Sequence, residues 1–177
     1  MTDQLDVSTE AIDLVNSLCL EPHPEGGWFR RTWTAPAVVE TEGGRRATAS
    51  AILFLLDQGM EARWHVVRSD ELWLWHGPGT LEIQFGGTGD APCNQPETII
   101  LGAPQVSTGN EARTQSASPS PNQAGTPQVP TDAANPVQVL VKAGTWQRTF
   151  ARNSVALATC VVSPEFTYED WRLAENV

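Results

Sequence analysis

From residue 8 to residue 20, STEAIDLVNSLCL, apolar side chains return every three or four positions, at Ile12, Val15, Leu18 and Cys19. That period predicts one amphipathic helix with Ser8 or Thr9 as its N-cap. It ends at Pro22, because PHPEGG (22–27) packs two prolines and two glycines into six residues. Beyond residue 27 the pattern changes to short runs rich in aliphatic and aromatic side chains. Strands are expected at 28–33, 48–56, 71–76, 81–85, 98–101, 137–142, 145–150 and 155–163, with turn residues such as Gly, Pro and Asp between several of them. Only 81–85 alternates cleanly, and 48–56 is apolar almost throughout, which reads as a sheet edge that needs covering. Many short strands and one helix point to an all-β fold, an antiparallel sandwich or barrel, rather than alternating β and α units.

One stretch breaks the pattern. Residues 103–136 hold six of the thirteen prolines, many Ser, Thr, Gln and Asn, and only Val106 and Val129 as sizeable aliphatics. Such a segment cannot offset its ordering entropy by burial, so it reads as a mobile surface insertion within a single domain spanning 1–177. It is either a lid over a pocket mouth or a tolerated extension, since lengthening a loop adds little closure entropy.

Composition narrows the classes of function. A chain of 177 residues can bury roughly 70% of its unfolded surface, so its core needs no staple. Cys19, Cys93 and Cys160 are odd in number and far apart, which argues against a disulfide framework or a thiolate zinc site and for a reducing compartment. The net charge of −10 argues against nucleic acid or an anionic membrane as partner, because both need a basic footprint. No apolar run approaches the ~20 residues of a membrane span, and the first 25 residues lack the pattern of a secretory leader. The expectation is a soluble cytoplasmic protein.

Candidate chemistry gathers in GMEARWHVVRSDELWLWHGPG (59–79), which holds two of the three histidines. A strand–turn–strand arrangement would bring His65 to the same side of a sheet as Asp70 or Glu71, as a metal-ligand pair or an acid–base pair. The same residues would equally serve a hairpin whose polar groups bond one another. Trp64, Trp73, Trp75 and Trp146 fall in or beside this block and the AGTWQ block, and would suit either core anchoring or stacking on a ring-shaped ligand. Arg30, Arg63 and Arg148 could take a phosphate or carboxylate bidentately, or simply solvate a face. In PHPEGG, His23 and Glu25 have a supporting part, and the glycines serve a tight turn.

The spacing of Gly59, His65, Glu71 and Gly77 resembles the first motif of the cupin superfamily, and Lys142–Gln147 stands where its second motif belongs. PHPEGGWFRRTW, SDELW, the LG at 101–102, AGTWQ and SPEFTYEDWRLA together resemble one cupin branch of undefined function. The resemblance implies a double-stranded β-helix, a jelly-roll barrel with a pocket lined from its strands. It also implies a divalent metal held by two His and a Glu of the first motif and a His of the second. Here Val67 and Gln147 stand at two of those four positions. A metal, if bound, would have His65, Glu71 and Gln147, a poor ligand set for zinc, iron or copper, so no cofactor is expected. Within the branch, a histidine usually follows the tryptophan after Ser-Asp-Glu; here His76 comes later, and on a regular strand it faces away from Glu71.

Three functions fit this reading. The first is a metal-independent isomerase or epimerase acting on a sugar-like or keto-acid substrate. His65 would be the base, Glu71 or Asp70 its orienting partner, and Gln147 a donor to a developing enolate oxygen. Trp73, Trp75, Arg63, Arg30 and His76 complete the candidate binding residues, with Tyr168 a candidate acid. The second is a non-catalytic small-molecule-binding protein that kept the pocket and lost the metal. The third is a metal-dependent lyase or dioxygenase. Cupins of this kind pair, so a homodimer is expected.

Overall fold

The computed structural model describes residues 7–104 and 135–174. The expected insertion at 103–136 therefore lies almost wholly outside the described residues. In chain order the elements are α1 (Thr9–Leu18), β1 (Glu21–Pro22), β2 (Trp28–Thr34), β3 (Val38–Thr41), β4 (Gly44–Ala47), β5 (Ser50–Leu56), β6 (Glu61–Val67), β7 (Asp70–Pro78), β8 (Leu81–Phe85), β9 (Glu97–Leu101), β10 (Gln138–Val141), β11 (Trp146–Ala151), β12 (Ala156–Ser163), a 3₁₀ turn (Tyr168–Asp170) and β13 (Trp171–Leu173).

Two antiparallel sheets carry the fold. One runs β1-β2-β5-β12-β7-β10, the other β13-β6-β11-β8-β9, and β3-β4 forms a separate hairpin. Neighbours such as β5 and β12 lie far apart in the chain, as a jelly roll requires. Side chains from both sheets meet in one core, with Phe54, Trp73, Val141 and Cys160 from the first sheet and Ala62, Leu81, Ile83 and Leu101 from the second. This is the all-β jelly-roll barrel with one N-terminal helix that the motifs imply.

The helix begins at Ser8, whose hydroxyl accepts from the Ala11 N–H while its own N–H and O–H donate to Asp57 at 2.6 and 2.8 Å. It ends sooner than Pro22, because Cys19 adopts φ 51°, a left-handed cap. Its packed face is Ala11, Leu14, Val15 and Leu18, set against Leu53, Leu55 and Trp28 on the outer side of the first sheet, whereas Ile12 is exposed.

That contact corrects the reading of 48–56 as an edge. β5 lies between β2 and β12. Phe54 and Leu56 face the barrel and Leu53 and Leu55 face the helix, so both faces are covered and the run is apolar throughout. β13 and the β3-β4 hairpin are further elements that the hydrophobic pattern does not predict.

Candidate functional site

A cavity of about 130 Å³ opens between the two sheets, and His65 and Glu71 both line it. His65 reaches it through an irregularity in β6. Gln147 on β11 opposes His65 and Thr149 opposes Ala62, so β6 spends one extra residue at Arg63–Trp64. This bulge brings Ala62 and His65 to the same inner face although they are three positions apart, an offset that puts residues of a regular strand on opposite faces. His65 Nδ1 lies 2.8 Å from the Arg63 carbonyl. A carbonyl only accepts, so Nδ1 carries the proton and Nε2 presents a lone pair. The ring is 2% exposed. Burial holds its pKa below the ordinary value, against the opposing pull of Glu71 and the Arg63 carbonyl.

Glu71 comes from β7, where alternation points Glu71 and Trp73 inward. Its Oε2 accepts from Gln147 Nε2 at 2.5 Å, and Gln147 Oε1 accepts from Trp73 Nε1 at 3.1 Å. Burial raises the Glu71 pKa, against the pull of His65. The Cys160 thiol, buried beside it, is pushed up by burial and is no thiolate.

The PHPEGG turn supplies a second pair. Gly26 N–H donates to the His23 carbonyl and His23 N–H to the Gly27 carbonyl, both at 3.0 Å. Arg63 stitches the turn to β6, its backbone N–H donating to the Glu25 carbonyl at 2.9 Å and its guanidinium to the Pro24 carbonyl at 2.6 Å. Gly26 has φ +115°, and a Cβ there would run into the Glu61 carbonyl. Held this way, the Glu25 carboxyl lies 3.5 Å from His65 Nε2 and 3.6 Å from His23 Nδ1, and Oε1 accepts from Trp171 Nε1 at 2.5 Å. Burial pushes Glu25 up to about 8, against Trp171 and Arg63. Burial likewise, with His65 beside it, brings His23 down to about 4. Around the mouth stand Arg31, which donates to the Phe166 carbonyl at 2.8 Å, and Tyr168, half exposed and stacked on His23 at 6.5 Å.

The sequence-predicted residues divide sharply. His65, Glu71 and Trp73 line the cavity, and Gln147 is buried behind Glu71. Asp70 does not join them. One residue before Glu71, it points the other way, accepting from the Ala143 N–H at 2.9 Å and from Lys142 Nζ at 3.2 Å. Those contacts lower its pKa, the Ala143 N–H foremost. His76 is exposed, its Nε2 2.7 Å from Thr159 Oγ1. Trp75 turns its Nε1–H to the Gly79 carbonyl at 2.7 Å and packs on the core. Arg63 clamps the turn from outside, and Arg30 is exposed while its neighbour Arg31 faces the cavity. For Asp70, His76 and Arg30 the pleat decides, whereas Trp75 shares the inward face of Glu71 and Trp73 but packs on the core further along β7, and Arg63 sits at the β6 bulge. Glu25 and His23 enter the site more centrally than a supporting part implies; their signal was two polar side chains fixed by a Pro- and Gly-rich turn. Gln147 is not placed to donate to an enolate oxygen, because it lies behind Glu71, off the cavity lining, with its amide bonded to Glu71 and Trp73.

The donors do not fit the metal that this fold commonly holds. Val67 lines the cavity without a ligating atom, and Gln147 uses its oxygen on Trp73 and its nitrogen on Glu71. Among the described residues no group of three or more His, Cys, Asp or Glu side chains is arranged around one ion position. His65 and Glu71 alone fall short of the three or four ligands such ions take.

Solved structures share this architecture. A hypothetical protein from Leishmania major is 22% identical, with a TM-score of 0.67 over 93% of this chain and 86% of that one. A protein from Shewanella oneidensis is 25% identical, with a TM-score of 0.67 over 92% and 83%. The capsular polysaccharide assembling protein CapF from Staphylococcus aureus is 11% identical, with a TM-score of 0.53 over 88% of this chain and 31% of that one, a likeness of fold alone. A comparison with curated proteins gives no match. The family model described as "Cupin superfamily (DUF985)" matches residues 12–174, and with nearly the whole chain inside that match the protein belongs to this cupin family.

Proposed function

We propose that the protein is a small-molecule-binding cupin that acts as a metal-independent isomerase or epimerase on a sugar-like or keto-acid substrate. The observation that carries this reading is the state of His65. Its Nδ1 proton is committed to a backbone carbonyl, and its Nε2 lone pair faces a cavity beside two buried carboxyls. A neutral imidazole of fixed tautomer is a ready general base. Burial favours the unprotonated ring, which keeps it competent at neutral pH. Trp73 and Phe54 give the cavity an aromatic wall, and Glu71, locked by Gln147, holds a charge or a proton against the base.

The test is a screen of sugar nucleotides and keto acids with wild type and His65→Ala. Catalysis predicts turnover that the variant loses by at least ~100-fold. Binding without turnover, merely weakened in the variant, would make the protein a ligand carrier. The three free cysteines accord with a cytoplasmic setting, and no helix among the described residues is long and apolar enough to cross a membrane. A homodimer belongs to the same proposal. Beyond its short pairing with β1 at Trp28 and Phe29, no strand among the described residues covers the outer edge of β2, which carries Trp33, 49% exposed. A monomer mass in light scattering at all concentrations would overturn that part.

A further inference from the structure

A base at His65 needs a partner that gives a proton, and we propose that this partner is Glu25, acting from the same side of the ligand as His65, so that the reaction is a proton shift between neighbouring atoms of an α-hydroxy carbonyl compound. The proposal rests on the catalytic reading above and adds its acid and its stereochemistry.

The geometry around Glu25 calls for a proton. His23 Nδ1 accepts the Glu25 backbone N–H at 3.3 Å, so that nitrogen carries a lone pair. His65 Nδ1 spends its proton on the Arg63 carbonyl, so Nε2 carries one too. The free His65 lone pair faces the Glu25 carboxyl at 3.5 Å, the His23 nitrogen lies 3.6 Å from it with no proton to offer, and among the described residues Trp171 Nε1 is its one side-chain donor. Acceptors facing acceptors in a buried site repel strongly, because the local dielectric is low. A proton on the carboxyl turns one of these repulsions into an attraction. The remaining groups do not remove the need: Glu71 is a second buried carboxyl and Tyr168 a neutral phenol, Arg31 at the mouth is paired with Glu165 at 3.2 Å, and the Arg63 guanidinium lies outside, bonded to the turn's backbone. Burial favours the same protonated form.

The 3.5 Å between His65 Nε2 and Glu25 leaves no room for a ligand atom in between, so the two groups address a ligand from one side. Inversion of a carbon needs the proton to leave one face and return to the other, which this pair cannot do alone. A 1,2-shift needs one side only. His65 Nε2 takes the proton from the hydroxyl-bearing carbon next to the carbonyl. The C–H electron pair becomes the C=C bond of an enediol, and the carbonyl π pair moves to oxygen, which takes the Glu25 proton. In return, the Glu25 carboxylate takes the proton of the adjacent hydroxyl and the imidazolium gives its proton to the former carbonyl carbon. A hydroxy ketone and a hydroxy aldehyde interchange, with no oxidant or reductant consumed.

Dihydroxyacetone in D₂O is the probe. Wild type is expected to place deuterium at a single prochiral position of the hydroxymethyl carbon, read by NMR, at least ~100-fold faster than buffer. Glu25→Gln keeps an oxygen for Trp171 and should melt like a folded protein, yet lose the exchange by a similar factor, as should His65→Asn. Independently, infrared difference spectra of wild type against Glu25→Gln at neutral pH should show the C=O band of a protonated carboxyl. Exchange at the wild-type rate in folded Glu25→Gln, or absence of that band, overturns Glu25 as the acid while leaving His65 as base. Exchange at both prochiral positions overturns the one-sided geometry. If wild type exchanges nothing, the catalytic reading of the whole site falls, and this proposal with it.

Discussion

At the scale of single residues, two inner-face positions of β11 show how much depends on partners. Gln147 and Thr149 are both buried, at 1% and 0% exposure. Gln147 satisfies Trp73 and Glu71 together, so Gln147→Leu leaves an indole N–H and a carboxylate oxygen without partners. The expected loss is about 2–4 kcal/mol, read from urea unfolding midpoints. Thr149 is the reverse case, since its hydroxyl has no partner among the described residues. Thr149→Val keeps the shape and removes an orphaned polar group, so it should leave stability unchanged or raise it by about 1 kcal/mol. A Gln147→Leu protein as stable as wild type would show that the buried amide holds nothing together. Gln147 stood out in the sequence as a candidate, from its place in AGTWQ. Its role did not, because the groups that consume its amide lie on β7, more than seventy positions away.

At the scale of elements, the site is placed by two backbone devices, the β6 bulge and the PHPEGG turn. The turn's demand falls on Gly26, where a side chain meets both an unfavourable φ and the Glu61 carbonyl. Gly26→Ala should therefore cost about 3 kcal/mol or more and displace Glu25. Gly44 is the control. Its φ is +99° but nothing lies within 4 Å of a Cβ there, so Gly44→Ala should cost only the conformational strain, about 1–2 kcal/mol. Thermal unfolding of the two variants checks the difference, and equal losses would mean that the close approach to β6 is unimportant. The strands whose period was regular, such as β8, were readable from the sequence. β6 was not, because its bulge breaks the alternation at the residues that aim His65 inward. The same single-residue ambiguity explains Arg30 and Arg31, and Asp70 and Glu71: a pattern of polar neighbours names the pair, and only the register names the member that faces the cavity.

At the scale of the whole molecule, the buried acids and imidazoles make stability depend on pH from two sides. Glu25 keeps its proton in the folded state up to about pH 8, whereas the unfolded chain releases it near the ordinary value of 4.5. The folded state then binds the extra proton, so this group makes stability fall as pH rises between those values. His23 works oppositely. Its folded value of about 4 lies below the ordinary 6.5, so the unfolded chain binds the extra proton and stability falls as pH drops through that window. Glu71 adds to the first effect and His65 to the second. From about 4.5 to about 6.5 the slopes of Glu25 and His23 oppose each other, and stability should vary little. Above that window Glu25 is no longer balanced, and by pH 8 its contribution should have lowered stability by about 2 kcal/mol, at roughly 1.4 kcal/mol per pH unit. Glu25→Gln removes one side of this balance. Its stability should hold better from pH 6.5 to 8 but decline on acidification from 6.5, where His23 then acts without Glu25 to oppose it. Denaturation midpoints of both proteins from pH 4 to 8 check this, and parallel curves would mean that Glu25 carries no proton that folding needs.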